Sequence, residues 1–278
     1  MIRKLLLSAA ATVGMVSGAQ AATVDVDLEL ALLVDVSSSV TATDFDTQRQ
    51  GYANAFRTSG VQDAILNKGS LGRIAATVVY WAGADQQSQV VDWFLLDSAQ
   101  SIENFATQIE NASRPFGCLI GNCLTGTDSA INAIVEGAAE INATFASNDF
   151  QGTRNVIDTS GDGNTNTRQD FNADNAATAA ARDNAVAKGV VINGLPIQPV
   201  GAGSGLLDWY KAWVIGGQNS FAIQASGYAG VQAALEKKLV SEITPPPPPV
   251  PLPAGVPLLL TGLVAFGGLR FLQRRKAA

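Results

Sequence analysis

The chain has 278 residues, 18 of them basic and 24 acidic, and no histidine. Without histidine, Ser-His-Asp and Cys-His catalysis and the common histidine-ligated zinc sites are excluded. Six basic residues (Arg3, Lys4, Arg270, Arg274, Arg275, Lys276) and no acidic ones lie at the two ends, so the body keeps 12 basic against 24 acidic residues, a charge of −12, which repels phosphate, excludes a nucleic-acid partner and suits cations.

In chain order, residues 1–21 read as a secretory signal peptide. Arg3 and Lys4 form its basic start, Leu5 to Val16 its apolar middle and Ala19-Gln20-Ala21 its cleavage site. Residues 22–243 have room for one domain with its own core. A strand is predicted over Val24–Val34, then a helix over Asp44–Arg57 with Thr43 as N-cap. Arg73–Trp81 and Gln89–Leu96 read as a hairpin. Helices follow over Ser101–Asn111 and, after a loop with two cysteines, Ser129–Phe145. The stretch 153–160 reads as a strand, Asn172–Lys188 as a helix and 189–197 as a strand. A short helix over 206–215, a strand over 219–225 and a helix over Tyr228–Glu242 close the domain. Trp81, Trp93, Trp209 and Trp213 read as core or interface packing. This alternation predicts an α/β fold with a mostly parallel central sheet, one antiparallel edge strand and helices on both faces.

Residues 244–253 are a proline-rich linker, stiff and extended. Residues 254–278 form a tail, an apolar stretch ending in Arg270, Arg274, Arg275 and Lys276, expected to engage a membrane with its basic end on the cytoplasmic side. Val250-Pro251-Leu252-Pro253-Ala254 with this tail resembles a PEP-CTERM-type sorting signal of the VPLPA variant. That resemblance implies recognition by a membrane sorting protease. The expected location is across the inner membrane: periplasmic, at the cell surface or extracellular, with a membrane segment before processing. In an exported chain the close pair Cys118 and Cys123 reads as a disulfide.

The first strand ends in Asp35-Val36-Ser37-Ser38-Ser39. In an extended segment alternate residues share a side, so Asp35, Ser37 and Ser39 converge. One carboxylate with two hydroxyls suits a hard cation, although Asp and Ser also cap helices. Two later strand-to-helix loops carry further oxygens, Thr125 or Thr127 in one and Asp162 in the other. The stretch 158–169 also matches the first half of an EF-hand calcium loop, but Gln169 stands where a bidentate glutamate belongs.

With these motifs, and with "RNVIDTSGDGNTN", "GVVINGLPI" and "VIGGQNSFAIQA", the chain resembles von Willebrand factor A-like (VWA) domains. Within them it is similar to an uncharacterised family of exported bacterial proteins, a domain of unknown function. The resemblance implies a Rossmann-like VWA fold and a metal-ion-dependent adhesion site (MIDAS). It implies that Ser37 and Ser39 bind the metal directly, that Asp35 acts mainly through water, and that Thr125 and Asp162 complete the set. Thr127 is the alternative to Thr125, and Asp158 the alternative to Asp162, the latter because one glycine, Gly161, stands inserted ahead of Asp162. The expected cofactor is a divalent cation, Mg²⁺ first, with Ca²⁺ or Mn²⁺ as alternatives. The expected partner is a protein or extracellular polymer presenting an acidic group. The expected function is adhesion or interaction rather than catalysis. A metal-assisted hydrolase in the same fold, or a structural surface domain without metal, is the alternative.

Overall fold

The computed structural model describes residues 23–118, 123–198 and 203–245. The expected signal peptide, nearly all of the expected linker and the expected tail lie outside them. Apart from Pro245 they belong to one compact unit that ends at Thr244. Among the described residues no helix is long and apolar enough to cross a membrane.

The central sheet is built on β2 (Glu29–Asp35) and β3 (Ile74–Trp81), every residue of which is buried. Such uninterrupted apolar strands belong in the middle of a sheet covered on both faces. Together with β4 (Gln87–Leu96), β6 (Asn155–Gly161), β7 (Val190–Gln198) and β8 (Ala225–Ser226), they are arranged in the order β4-β3-β2-β6-β7-β8. All neighbours are parallel except β3 and β4, the expected hairpin at one edge. The strands run outward in both directions from β2, as in a doubly wound sheet, so the loops after β2 and β6 part at a topological switch point. With helices on both faces, this is a VWA-like α/β fold.

Alternation along β2 sorts the two cores. Leu30, Leu32 and Val34 pack with Tyr52 and Phe56 of α1 (Ala42–Arg57), Ile102 and Phe105 of α3 (Ala99–Asn111), and Leu235 and Leu239 of α7 (Val231–Ile243). Ala31 and Leu33 face the other way. There they join Ile131 and Ile134 of α4 (Thr127–Glu136), Ala181 and Ala185 of α5 (Phe171–Ala187), and Trp209 of α6 (Gly205–Trp209) with Tyr210 just after it. Trp81 and Trp209 are buried in this second core, and Trp93 and Trp213 pack against it. A short α2 (Ser59–Asp63) runs on into a wider π-helical turn over Ala64–Lys68.

Several elements depart from the expected ones. The first strand is broken into β1 (Val24–Val26) and β2, because the Asp27 carboxylate between them accepts the Ser70 and Leu71 amides at 2.8 and 2.9 Å. β1 pairs instead with an unforeseen β5 (Phe150–Gly152) in a small parallel sheet. The N-cap of α1 is Thr41, not Thr43; its side chain accepts the Asp44 amide. Helix α4 stops at Glu136 rather than Phe145, since Gly137 turns the chain at φ 99°. The segment beyond it is held by Gln89, whose Oε1 accepts the amides of Asn142 and Ala143. The strand expected over 219–225 shrinks to Ala225–Ser226, with one isolated bridge at Ala222.

Gly194 of β7 is the tightest backbone contact in the second core. A Cβ there would lie 2.4 Å from Cδ1 of the Tyr210 ring. Gly194→Ala must displace that ring, so we expect a loss of about 1–3 kcal/mol in a denaturant melt. An unchanged melt would mean that Tyr210 can move aside freely.

Candidate functional site

Strand β2 delivers Asp35 to the carboxyl edge of the sheet with no exposed surface. The turn that follows is shaped by its own side chain: Asp35 Oδ1 accepts the Ser37 amide at 2.7 Å. Arg114 holds the turn from behind, donating to the carbonyls of Val36 and Ser37 at 2.7 Å each, with its guanidinium 5.8 Å from the Phe45 ring. Gln48 of α1 donates to the Asp35 carbonyl.

The hydroxyls converge as the alternation predicts. Ser37 Oγ and Ser39 Oγ are 3.2 Å apart, and Ser39 Oγ donates to Asp162 Oδ1 at 2.5 Å. Thr125 Oγ1 lies 3.4 Å from Ser37 Oγ. Asp35, Ser37, Ser39, Thr125 and Asp162 therefore form one continuous cluster drawn from three loops. The inserted glycine is absorbed by the strand. β6 runs one residue past its last partner on β2, to Gly161, which pairs only with β7, and Asp162 follows at once. Gly161 must be glycine, because a Cβ would meet Asp35 Oδ2 at 2.8 Å.

Neither alternative is hydrogen-bonded into this cluster. Thr127 is the first residue of α4, and its buried hydroxyl has no hydrogen-bond partner. Asp158 sits in the middle of β6, on the face covered by α1 and α7, in an ion pair with Lys238. This corrects both the reading of Asp158 as a ligand and the EF-hand reading, because residues 158–161 are strand and not loop.

Sequence reasoning passed over several residues that shape the cluster. Ser38 points away from its neighbours and clasps Cys123: its Oγ accepts the Cys123 amide at 2.9 Å and donates to the Cys123 carbonyl at 2.8 Å. Beside it the disulfide expected from the sequence, Cys118–Cys123, is formed, with Cα atoms 5.3 Å apart. Asn166 joins the second and third loops, its Oδ1 accepting the Thr125 amide and its own amide donating to the Thr125 carbonyl. Arg168 ties the third loop to Asp128 of α4 and Asp174 of α5. Three tyrosines end on three consecutive residues. Tyr52 donates to Ser160 Oγ at 3.0 Å, Tyr210 OH lies 3.1 Å from where a Gly161 Cβ would stand, and Tyr228 donates to Asp162 Oδ2 at 3.0 Å. Burial first, and the carboxylates second, push all three phenols far up, so they remain donors at any ordinary pH. Among these only Asn166, in a loop rich in Asn and Gly, carried a local signal.

Asp35 Oδ2 is buried and has no hydrogen-bond partner. A buried carboxylate oxygen left so is costly. Burial first and the Asp162 charge second push the Asp35 carboxyl up to about 7, against the pull of the Ser37 amide. An oxygen-only set of two carboxylates and three hydroxyls, with one orphaned carboxylate oxygen, fits a hard divalent cation. Among the described residues no group of three or more His, Cys, Asp or Glu could hold a metal ion, so a cation here would have to draw on the hydroxyls.

A VWA-like fold with oxygen side chains gathered at its switch point is the class that sheet and cluster define. The chain belongs to the family described as "Protein of unknown function (DUF1194)", whose model matches residues 25–247. No curated protein matches it. Among solved structures it resembles the PilB minor pilin of Streptococcus sanguinis, at TM-score 0.52 and 10% identity, over 79% of this chain and 62% of that one. The pilus adhesin SpaC of Lactobacillus rhamnosus GG is similar at TM-score 0.50 and 12% identity, over 78% and 30%. Proximal thread matrix protein 1 from the mussel byssus, solved with a zinc-occupied MIDAS motif, is similar at TM-score 0.49 and 14% identity, over 78% and 48%. The chain thus spans less than two thirds of each of these structures, and at such identities the likeness concerns the fold alone.

Without metal, Asp35 binds its proton more tightly folded than unfolded. Stability is then highest below the unfolded value of 3.8 and falls as pH rises toward about 7. Thermal melts in chelator between pH 5 and pH 8 should show this fall, and Asp35→Asn should make it shallower, the Glu242 carboxyl, pushed up to about 8, keeping the rest. An equal slope in the variant would place the titration elsewhere.

Proposed function

We propose that this chain is an exported or surface-displayed VWA-like domain that binds a divalent cation at a MIDAS-type site and, through it, an acidic group on a protein or extracellular polymer. The observation that carries this is the convergence of Asp35, Ser37, Ser39, Thr125 and Asp162 around an unpaired, buried carboxylate oxygen. Ser37, Ser39 and Thr125 would be the neutral ligands. Asp35 and Asp162 would orient them and supply the negative charge.

A bound Mg²⁺, Ca²⁺ or Mn²⁺ would remain strongly electrophilic among neutral hydroxyls, and so open to a partner's carboxylate. This is binding chemistry, and the chain is read as a non-enzyme. The protein's own work is positional. Arg114 and Gln48 fix the first loop, Ser38 and the disulfide the second, and Asn166 and Arg168 the third. The sorting-type tail and signal peptide support an exported location. Two of the chains with this fold are a minor pilin of Streptococcus sanguinis and a pilus adhesin of Lactobacillus rhamnosus GG.

Calorimetric titration of the purified chain with Mg²⁺ and Mn²⁺ tests the reading. Saturable binding is expected, weakened about tenfold or more by Asp35→Ala or Ser37→Ala with the circular dichroism kept. Equal binding by wild type and both variants would refute it, as would none by wild type. Reducing Cys118–Cys123 should weaken cation binding without unfolding the chain, because the closed loop is short and contributes little closure entropy. Unchanged affinity after reduction would show that the Ser38 clasp alone holds the second loop.

A further inference from the structure

A fully buried cluster of ionisable groups lies under α7, on the opposite face of β6 from α4 and α5, and the cation site does not use it. Lys238 of α7, Asp158 of β6 and Glu242 of α7 come together with the Lys238 and Asp158 side chains at 0% exposure. A lysine without any contact with water is rare, and a buried set of one cation and two acids leaves a charge without a partner. Lys238 Nζ lies 2.7 Å from Asp158 Oδ1 and 2.5 Å from Glu242 Oε1. The first contact has the closeness of a hydrogen bond but not its alignment, for neither Asp158 oxygen has a hydrogen-bond partner. A carboxyl C–O bond is about 1.2 Å, so the Asp158 carbon lies within about 4 Å of the amine nitrogen. Reacting atoms in a near-attack arrangement stand about 3–3.5 Å apart. Asn193 Nδ2 holds Glu242 Oε1 at 2.9 Å, and the Phe221 ring, 5.9 Å from Nζ, walls the cluster.

We propose that Lys238 and Asp158 become joined by an intramolecular amide bond, with Glu242 as the proton carrier. The ion pair is the reactant state. A proton passes from the ammonium to the carboxylate, which leaves a neutral amine beside a neutral carboxyl. The Nζ lone pair attacks Cγ, and the new C–N bond forms as one C–O bond breaks. Glu242 protonates the departing hydroxyl, which leaves as water, and takes back the surplus proton from nitrogen. Ammonium and carboxylate go to amide and one water, with no oxidant, reductant or further reactant. Burial first and the Asp158 charge second push the Glu242 carboxyl up to about 8, so near neutrality it carries the proton that this role needs. The product replaces a buried ion pair with a neutral amide, which removes much of the desolvation cost.

The test is the mass of the full chain under denaturing, reducing conditions. The wild-type chain should be one water lighter than its mapped termini require. After trypsin, the fragment Asn155–Arg168 should stay attached to the fragment that begins at Lys238. This also separates the bond from ring closure at Asp162-Gly163, which loses the same water but leaves Asn155–Arg168 free. Glu242→Gln should have the full mass and separate fragments while remaining folded. A wild-type chain of full mass, or a free Asn155–Arg168 fragment, would overturn the bond. A Glu242→Gln chain that still carries the link would remove Glu242 from the step.

Discussion

A carboxylate with no access to water stands at the end of a strand buried along its whole length. Strand β2 is covered by helices on both faces and flanked by parallel strands on both edges, so Asp35 has nowhere to relax. Everything around it is arranged to tolerate that position. The Ser37 amide satisfies one oxygen, and a glycine makes room for the other. Arg114 supports the turn through its carbonyls and leaves the carboxylate itself unneutralised. The remaining electrostatic demand is what makes the cluster a candidate for a cation, and the outward order of the strands places it at an open edge rather than in a closed core.

The central parts of this arrangement were legible in the sequence, because they follow from short-range rules. Apolar runs at 30–34 and 74–81 read as strands, and period-two alternation places Asp35, Ser37 and Ser39 on one side. The rest depended on contacts across the chain. Nothing local says that Asp27 will accept amides from Ser70 and Leu71 and so break a strand. The apolar stripe after Ser129 runs on past Glu136, yet Gly137 ends the helix and Phe145 packs on Trp93 instead. Asp158 and Asp162 look alike in one dimension. The sheet separates them by aiming the first at a lysine 80 residues later, and the second at Ser39.

Strand β6 therefore serves two chemistries that do not touch. Its middle faces α1 and α7 with Asp158, and its end delivers Asp162 to the loops. Both carboxylates are anchored by α7 and the turn before it, through Lys238 and Tyr228 respectively. The last helix of the domain is thus fixed to one strand at two heights, near the helix start by a hydroxyl and further along by an amine.

Three of the chain's four tyrosines lie against the tripeptide Ser160-Gly161-Asp162. Two of their rings are fully buried, and Tyr210 stacks edge-on with Trp209 at 5.5 Å. Most of the phenolic absorption of the molecule thus originates within a few ångströms of one strand end. The tyrosine part of the near-ultraviolet dichroism, beside that of the four tryptophans, is therefore a local optical signal, an intrinsic label on the third loop that needs no added probe.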